Sequence, residues 1–147
     1  MRPAWLRAAW SLLGLLAVAG AVWVANQPVS SVSMSCGKSG DLWLDGAPHG
    51  ADCSDSIVSV IGYGPPVALG LLLAVPPLLA AAAMRRWVSC LAVALLVILT
   101  FVGLTRWSDF WGYLLGAFPL ATGAAVLAAL SIGSPRRSPG RAGSAVE

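Results

Sequence analysis

Four long runs of apolar residues constrain this chain more than any other feature of its sequence. The runs cover approximately residues 8–25, 65–84, 87–105 and 110–132, and none contains an Asp, Glu, Lys, Arg or His. About 20 such residues in a helix cross the hydrocarbon core of a bilayer. The sequence therefore predicts an all-α integral membrane protein, built as a four-helix transmembrane bundle over residues 1–132.

The composition of the whole chain agrees with lipid as its main solvent. Of 147 residues, 58% are hydrophobic and 10% are charged, whereas about a quarter of the residues in a soluble domain carry charge. A soluble fold of this size also leaves roughly a third of its unfolded surface exposed to water. So much apolar surface excludes an ordinary soluble domain.

The few charged residues predict how the four segments are oriented. Seven of the nine basic residues lie at the N-terminus, between the second and third segments, or near the C-terminus. Because Lys and Arg accumulate in cytoplasmic segments, we expect both termini in the cytoplasm. An extracytoplasmic loop over residues 26–60 and a disordered basic cytoplasmic tail over residues 133–147 follow from the same pattern. The seven residues are Arg2, Arg7, Arg85, Arg86, Arg136, Arg137 and Arg141.

The N-terminal segment has a second interpretation. Residues 1–21 end in Ala19-Gly20-Ala21, which has the A-x-A form of a signal-peptide cleavage site. The apolar run continues beyond that site through Val24, so we favour an uncleaved spanning helix and leave cleavage as the alternative.

Aromatic residues near the ends of the segments predict two belts at the membrane surfaces. Trp5, Trp10 and Trp87 lie at the expected cytoplasmic ends, and Trp23 and Tyr63 lie at the opposite ends. Trp and Tyr rings favour the headgroup level of a bilayer.

The three cysteines separate into two groups. Cys36 and Cys53 both fall in the extracytoplasmic loop, where an oxidising compartment favours a disulfide between them. A metal site that includes His49 is the alternative, although the spacing matches no standard zinc pattern. Cys90 lies within the third segment and is interpreted as a small helix-packing residue.

Small residues four positions apart predict where the helices approach closely. Such pairs allow close backbone contact between membrane helices, and we expect most of them to pack within the chain rather than against a second copy. Prolines within the second and fourth segments are expected to kink them. The pairs are Ala17 and Ala21, Gly70 and Ala74, and Gly112 and Gly116; the prolines are Pro76, Pro77 and Pro119.

The polar residues provide no recognisable catalytic or cofactor-binding arrangement. The sequence contains no P-loop, no G-x-S-x-G, no H-E-x-x-H and no C-x-x-C motif, so we predict neither enzyme activity, a cofactor nor a metal. Arg106 and Asp109 are expected to form an ion pair in the turn between the third and fourth segments. Three arginines without interleaved aromatic residues in the tail do not predict nucleic-acid binding.

We therefore expect a small multi-pass plasma-membrane protein of non-catalytic accessory or scaffold type. Its partners are expected to be the lipid bilayer and another membrane protein or a second copy, with the outer loop as the contact surface. The ratio of eight Arg to one Lys in an Ala-rich chain favours a bacterium with a GC-rich genome. The alternative function is a small transporter or channel-like subunit that uses the proline-containing second and fourth segments.

Overall fold

The computed structural model describes residues 4–39, 42, 50–106 and 110–133, and its regular elements in these ranges are helical. Two 3₁₀ helices, Val29–Ser31 and Phe110–Gly116, accompany the α-helices. The α-helices are α1 (Ala4–Ala25), α2 (Met34–Ser39), α3 (Ile57–Ile61), α4 (Gly64–Ala83), α5 (Arg86–Thr105) and α6 (Ala117–Gly133).

Four helical segments are long and apolar enough to cross a membrane: α1, α4, α5 and the segment Phe110–Ser131. This confirms the predicted helical fold and the number of segments that are long and apolar enough to span a membrane. Successive spanning segments are neighbours, and α6 also contacts α1, which closes the bundle. Helices α1 and α4 run in opposite directions, since Arg7 near the start of α1 bonds Ala81 near the end of α4. The end of α5 likewise lies against the start of the fourth segment at Gly103. We call the end that holds the start of α1 and the α4–α5 turn the terminal end. The opposite end is the cap end.

The fourth spanning segment differs from the uninterrupted helix that the sequence predicts. It begins as the 3₁₀ helix Phe110–Gly116 and becomes α-helical only at Ala117. A 3₁₀ run of this length is uncommon, and two glycines within it lower its α-helical propensity. Pro119 consequently lies in the first turn of α6, where a missing N–H costs little, instead of kinking the middle of a helix.

The other predicted boundaries shift only slightly. Helix α1 begins at Ala4 and therefore includes Arg7, whereas the apolar run begins at residue 8. Pro76 and Pro77 lie inside α4, which continues past them to Ala83. The predicted tail lies outside the described residues apart from its first residue, which ends α6.

Small side chains and a few leucines form most of the core of the bundle. They let the helices approach closely, as is usual within lipid. The buried residues of the spanning helices include Leu6, Ala17, Leu69, Ala74, Ala80, Ala92, Leu96, Ala117 and Ala124.

Two side chains are placed differently from their sequence-based interpretation. Trp10 is 0% exposed and belongs to the core, while Trp5 and Trp87 are more than half exposed, as interfacial rings would be. Cys90 is exposed, so it does not contribute to packing between these helices. Both differences arise because hydropathy does not specify which side of a helix faces its neighbours.

Candidate functional site

The connection between α1 and α4 covers the cap end of the bundle, and we call its described residues, 26–39, 42 and 50–63, the cap. The predicted disulfide between Cys36 and Cys53 is present in the cap, with a Cα–Cα distance of 5.7 Å. The two cysteines are 17 positions apart in the sequence, and the chain-entropy model gives a stabilisation of about 3 kcal/mol for a loop of this size. His49, the histidine of the alternative metal site, lies outside the described residues.

Backbone hydrogen bonds join the two sides of the cap next to the disulfide. The N–H of Val29 donates to Asp55 O at 2.8 Å, and the N–H of Ser30 donates to Cys53 O at 3.1 Å. The N–H of Ile57 donates to Gln27 O at 2.8 Å. These bonds hold the segment that leaves α1 against the segment that enters α4, so the cap is a fixed structure near the bundle.

The cap is attached to the bundle by apolar and polar contacts. Val29 is 1% exposed and Ile57 is 0% exposed, and both belong to the same apolar cluster as the spanning helices. The hydroxyls of Ser31 and Tyr113 are 2.9 Å apart and form a hydrogen bond. Tyr113 belongs to the 3₁₀ part of the fourth spanning segment, so this bond fastens the cap to that segment.

A cleft of about 480 Å³ lies between α1 and the fourth spanning segment; we call it the cap-side cleft. Leu16 and Gly20 line it on one side, Gly112 and Gly116 line it on the other, and α4 contributes buried Leu69. Apart from Trp23 and Tyr113, the lining residues carry no polar side-chain atoms. Several of them are exposed to the bundle surface, so the cleft opens sideways toward lipid.

The position of the 3₁₀ helix explains why this cleft exists. A Cβ on Gly103 of α5 would lie 2.6 Å from the backbone N of Leu115 and 2.8 Å from the carbonyl C of Leu114. Only glycine permits the 3₁₀ helix to lie this close to α5, and in this position the helix leaves space beside α1. Nearer the terminal end, a Cβ on Gly123 would lie 3.2 Å from Leu13 Cδ2, so α1 and α6 are in contact there.

The predicted small-residue pairs fall into two structural groups. Ala17, Ala21 and Ala74 are buried, and a Cβ on Gly70 would lie 3.1 Å from Ala21 Cβ. Gly70 and Ala21 thus form a tight contact between α4 and α1. Gly112 and Gly116 line the cap-side cleft, whose lining on the α1 side includes Ala17 and Ala21.

Gly116 in particular is not in close contact with the rest of the chain. A Cβ added to Gly116 meets no atom within 4 Å. The small residues that continue its helical row, Ala117, Ala121, Ala124 and Ala128, are all buried. The chain's own packing therefore uses this row only beyond the cleft.

Two further cavities contain the residues on which the transporter alternative depends. One of about 520 Å³ contains Thr100 and Thr122, and another of about 620 Å³ contains Pro76. The Thr100 hydroxyl donates to Leu96 O at 2.9 Å, and the Thr122 hydroxyl donates to Phe118 O at 3.0 Å. Each hydroxyl is thus satisfied by its own helix, and the remaining lining of the 520 Å³ cavity is apolar.

The other predicted polar features are only partly within the structure. Asp109 lies outside the described residues, so its ion pair with Arg106 stays a prediction. The N–H of Arg106 donates to Val102 O at 3.1 Å and ends α5. Within the described ranges, no group of three or more His, Cys, Asp or Glu residues is arranged to hold a metal ion.

No known protein family, curated protein or solved structure matches this chain. Only its own geometry and charge distribution therefore bear on its function.

Proposed function

We propose that this chain is a non-catalytic accessory protein of a bacterial plasma membrane. In this role the cap and the cap-side cleft together contact a partner membrane protein. A transmembrane helix of the partner occupies the cleft, and the extracytoplasmic part of the partner lies against the cap. Both termini are in the cytoplasm.

The observation that carries this proposal is a small-residue surface that the chain leaves unused beside a fixed cap. Gly20, Gly112 and Gly116 line the cap-side cleft, and a Cβ on Gly20 or Gly116 would meet no atom within 4 Å. Glycines on the surface of membrane helices permit close approach of another helix. The Ser31–Tyr113 hydrogen bond holds the cap next to this surface.

The size of the cleft suits a helix. A helix about 10 Å across rises about 5.4 Å per turn, so one turn occupies roughly 400 Å³. The cleft volume of about 480 Å³ is therefore enough for the facing half of about two turns. A transporter of polar solutes requires polar groups along its route. The apolar lining of the cleft therefore favours contact with a helix.

Charge and redox chemistry support the proposed orientation. Seven of the nine basic residues belong to the terminal end or to the chain beyond it, as the positive-inside rule requires of the cytoplasmic side. The disulfide belongs to the cap, and disulfides persist in oxidising compartments outside the cytoplasm. A reporter that is active only outside the cytoplasm should stay inactive after Glu147 and become active when it replaces the chain after Asn26. The opposite result would refute the orientation.

Site-specific photo-crosslinking in native membranes tests the partner contact. A photoreactive amino acid at position 116 or 20 should form an adduct with one and the same protein. At position 126 of α6, where Val126 is 54% exposed but outside the cleft, it should form no such adduct. Gly116→Trp should fill the cleft and prevent the adduct from position 20, whereas Val126→Trp should not.

The outcomes separate the possible occupants. Equal adducts from positions 116 and 126, or adducts with lipid only, would refute a partner helix in the cleft. An adduct with twice the mass of this chain would identify a second copy and refute the accessory role.

A further inference from the structure

The terminal end of the bundle carries a groove that the proposed partner contact does not use. It lies between α4 and α5, has a volume of about 620 Å³, and is lined by Leu79, Ala83, Leu91 and other apolar residues. Arg85 and Trp87 line the same cavity. The groove, which we call the α4–α5 groove, therefore combines an apolar lining with a cationic side chain.

The turn between the two helices places this cation. Helix α4 ends at Ala83, Met84 adopts a left-handed conformation with φ 49°, and Arg85 is the extended N-cap residue of α5. The connection is thus only two residues long. Arg85 and Arg86 are both exposed, and Trp87 is 60% exposed, as expected for an aromatic ring at the headgroup level of a bilayer.

Other charges at this end reinforce the positive potential. Arg7 Nε donates to Ala81 O at 3.3 Å, which places a third guanidinium near the end of α4. The acidic residues within the described ranges, Asp52 and Asp55, both belong to the cap at the opposite end. The N-terminus of α5 adds a partial positive charge from its first N–H groups, since Arg85 provides no side-chain cap.

We propose that the α4–α5 groove is a binding site for an anionic phospholipid. The phosphate group binds Arg85 with the support of Arg86, and one acyl chain lies along the apolar part of the groove toward Pro76. Guanidinium groups form paired hydrogen bonds with phosphate oxygens, and basic pockets between helices at the cytoplasmic side are known to recognise such lipids. The site rests on the proposed orientation of the bundle, but it does not depend on the proposed partner protein.

Lipid titration of the purified full-length protein tests this site. The protein in a neutral detergent is titrated with dioleoyl phosphatidylglycerol or dioleoyl phosphatidylcholine, and bound lipid is counted by native mass spectrometry. The two lipids have identical acyl chains and differ in net charge. We expect phosphatidylglycerol to bind about tenfold more tightly, because both lipids present a phosphate to Arg85 but only phosphatidylcholine carries a choline cation, which the neighbouring arginines repel.

Two variants separate the phosphate contact from the acyl-chain contact. Arg85→Gln should weaken phosphatidylglycerol binding about tenfold and phosphatidylcholine binding by a smaller factor, because losing the arginine also removes its repulsion of the choline cation. Ala83→Phe should fill the groove and weaken the binding of both lipids; Ala83 is exposed, so the larger side chain is compatible with the fold. Arg106→Gln removes one positive charge at the cap end, and Ala125→Phe fills the separate 520 Å³ cavity; both serve as controls.

Three outcomes would overturn the proposal. The first is equal binding of the two lipids to the unmodified protein. The second is a similar effect of Arg85→Gln and Arg106→Gln, which would indicate attraction by net charge alone. The third is normal lipid binding by Ala83→Phe, which would place the acyl chain elsewhere. Equal helical circular dichroism of all variants confirms that each one is folded.

Discussion

The contact at Gly103 provides the strictest test of how the fourth spanning segment is positioned. In Gly103→Ala, the new Cβ would lie 2.6 Å from Leu115 N and 2.8 Å from Leu114 C. Favourable separations between heavy atoms are about 3.5 Å or more, so the two segments must move apart by roughly 0.8 Å. Since both contacted atoms are backbone atoms, a change of side-chain rotamer does not relieve the clash.

Two opposing free-energy changes determine the result. Overpacking of this kind costs about 1–3 kcal/mol, and replacing a helical glycine by alanine gains up to about 1 kcal/mol. Gly20→Ala in α1 is a matched control, because its Cβ would meet no atom within 4 Å and only the gain remains. The difference in unfolding free energy between the two variants is therefore the overpacking cost alone, about 1–3 kcal/mol.

The difference is measured by reversible unfolding of the purified proteins with SDS in mixed micelles, followed by helical circular dichroism. We expect Gly103→Ala to unfold at a lower SDS fraction than the unmodified protein and Gly20→Ala at an equal or higher one. Equal stability of the two variants would refute the conclusion that Gly103 allows the 3₁₀ helix to approach α5.

Two further predictions concern the cap and the core. Without reductant, a maleimide reagent should label Cys90 and leave Cys36 and Cys53 unmodified; labelling of Cys53 in the unmodified protein would contradict the disulfide. Cys36→Ser should lower the free energy of cap unfolding by about 3 kcal/mol, measured by proteolysis of the cap. Trp10→Ala should lower the free energy of unfolding by about 3–5 kcal/mol in the same SDS assay, because the ring is fully buried. Trp5→Ala, at a half-exposed position, should change it by less than about 0.5 kcal/mol. Similar losses for both variants would contradict the burial of Trp10.

The spanning segments are predictable from the sequence because each depends on local hydropathy. A run of about 20 apolar residues must form its hydrogen bonds internally within lipid, and a helix does so whatever its neighbours are. The boundaries of α4 and α5 accordingly agree with the apolar runs within one or two residues. The disulfide is predictable for a similar reason, since only two cysteines share the loop between the first two spanning segments.

The candidate site is less predictable, because it depends on which helix faces meet. The same spacing of small residues occurs at Ala17 and Ala21, which are buried, and at Gly112 and Gly116, which are at least partly exposed. Spacing alone does not distinguish these two environments. Trp10 illustrates the same limit, because its position near a helix end fits an interfacial belt equally well.

The sequence by itself determined four segments long and apolar enough to cross a membrane, a disulfide in the loop between the first two, and the order of the basic residues relative to these segments. These properties depend on residue types and on their order along the chain. The tertiary structure decided the 3₁₀ start of the fourth segment, the cap-side cleft and the placement of Arg85 at the α4–α5 groove. These features depend on steric contact between segments far apart in sequence, such as Gly103 against Leu114 and Leu115, and hydropathy carries no information about that contact.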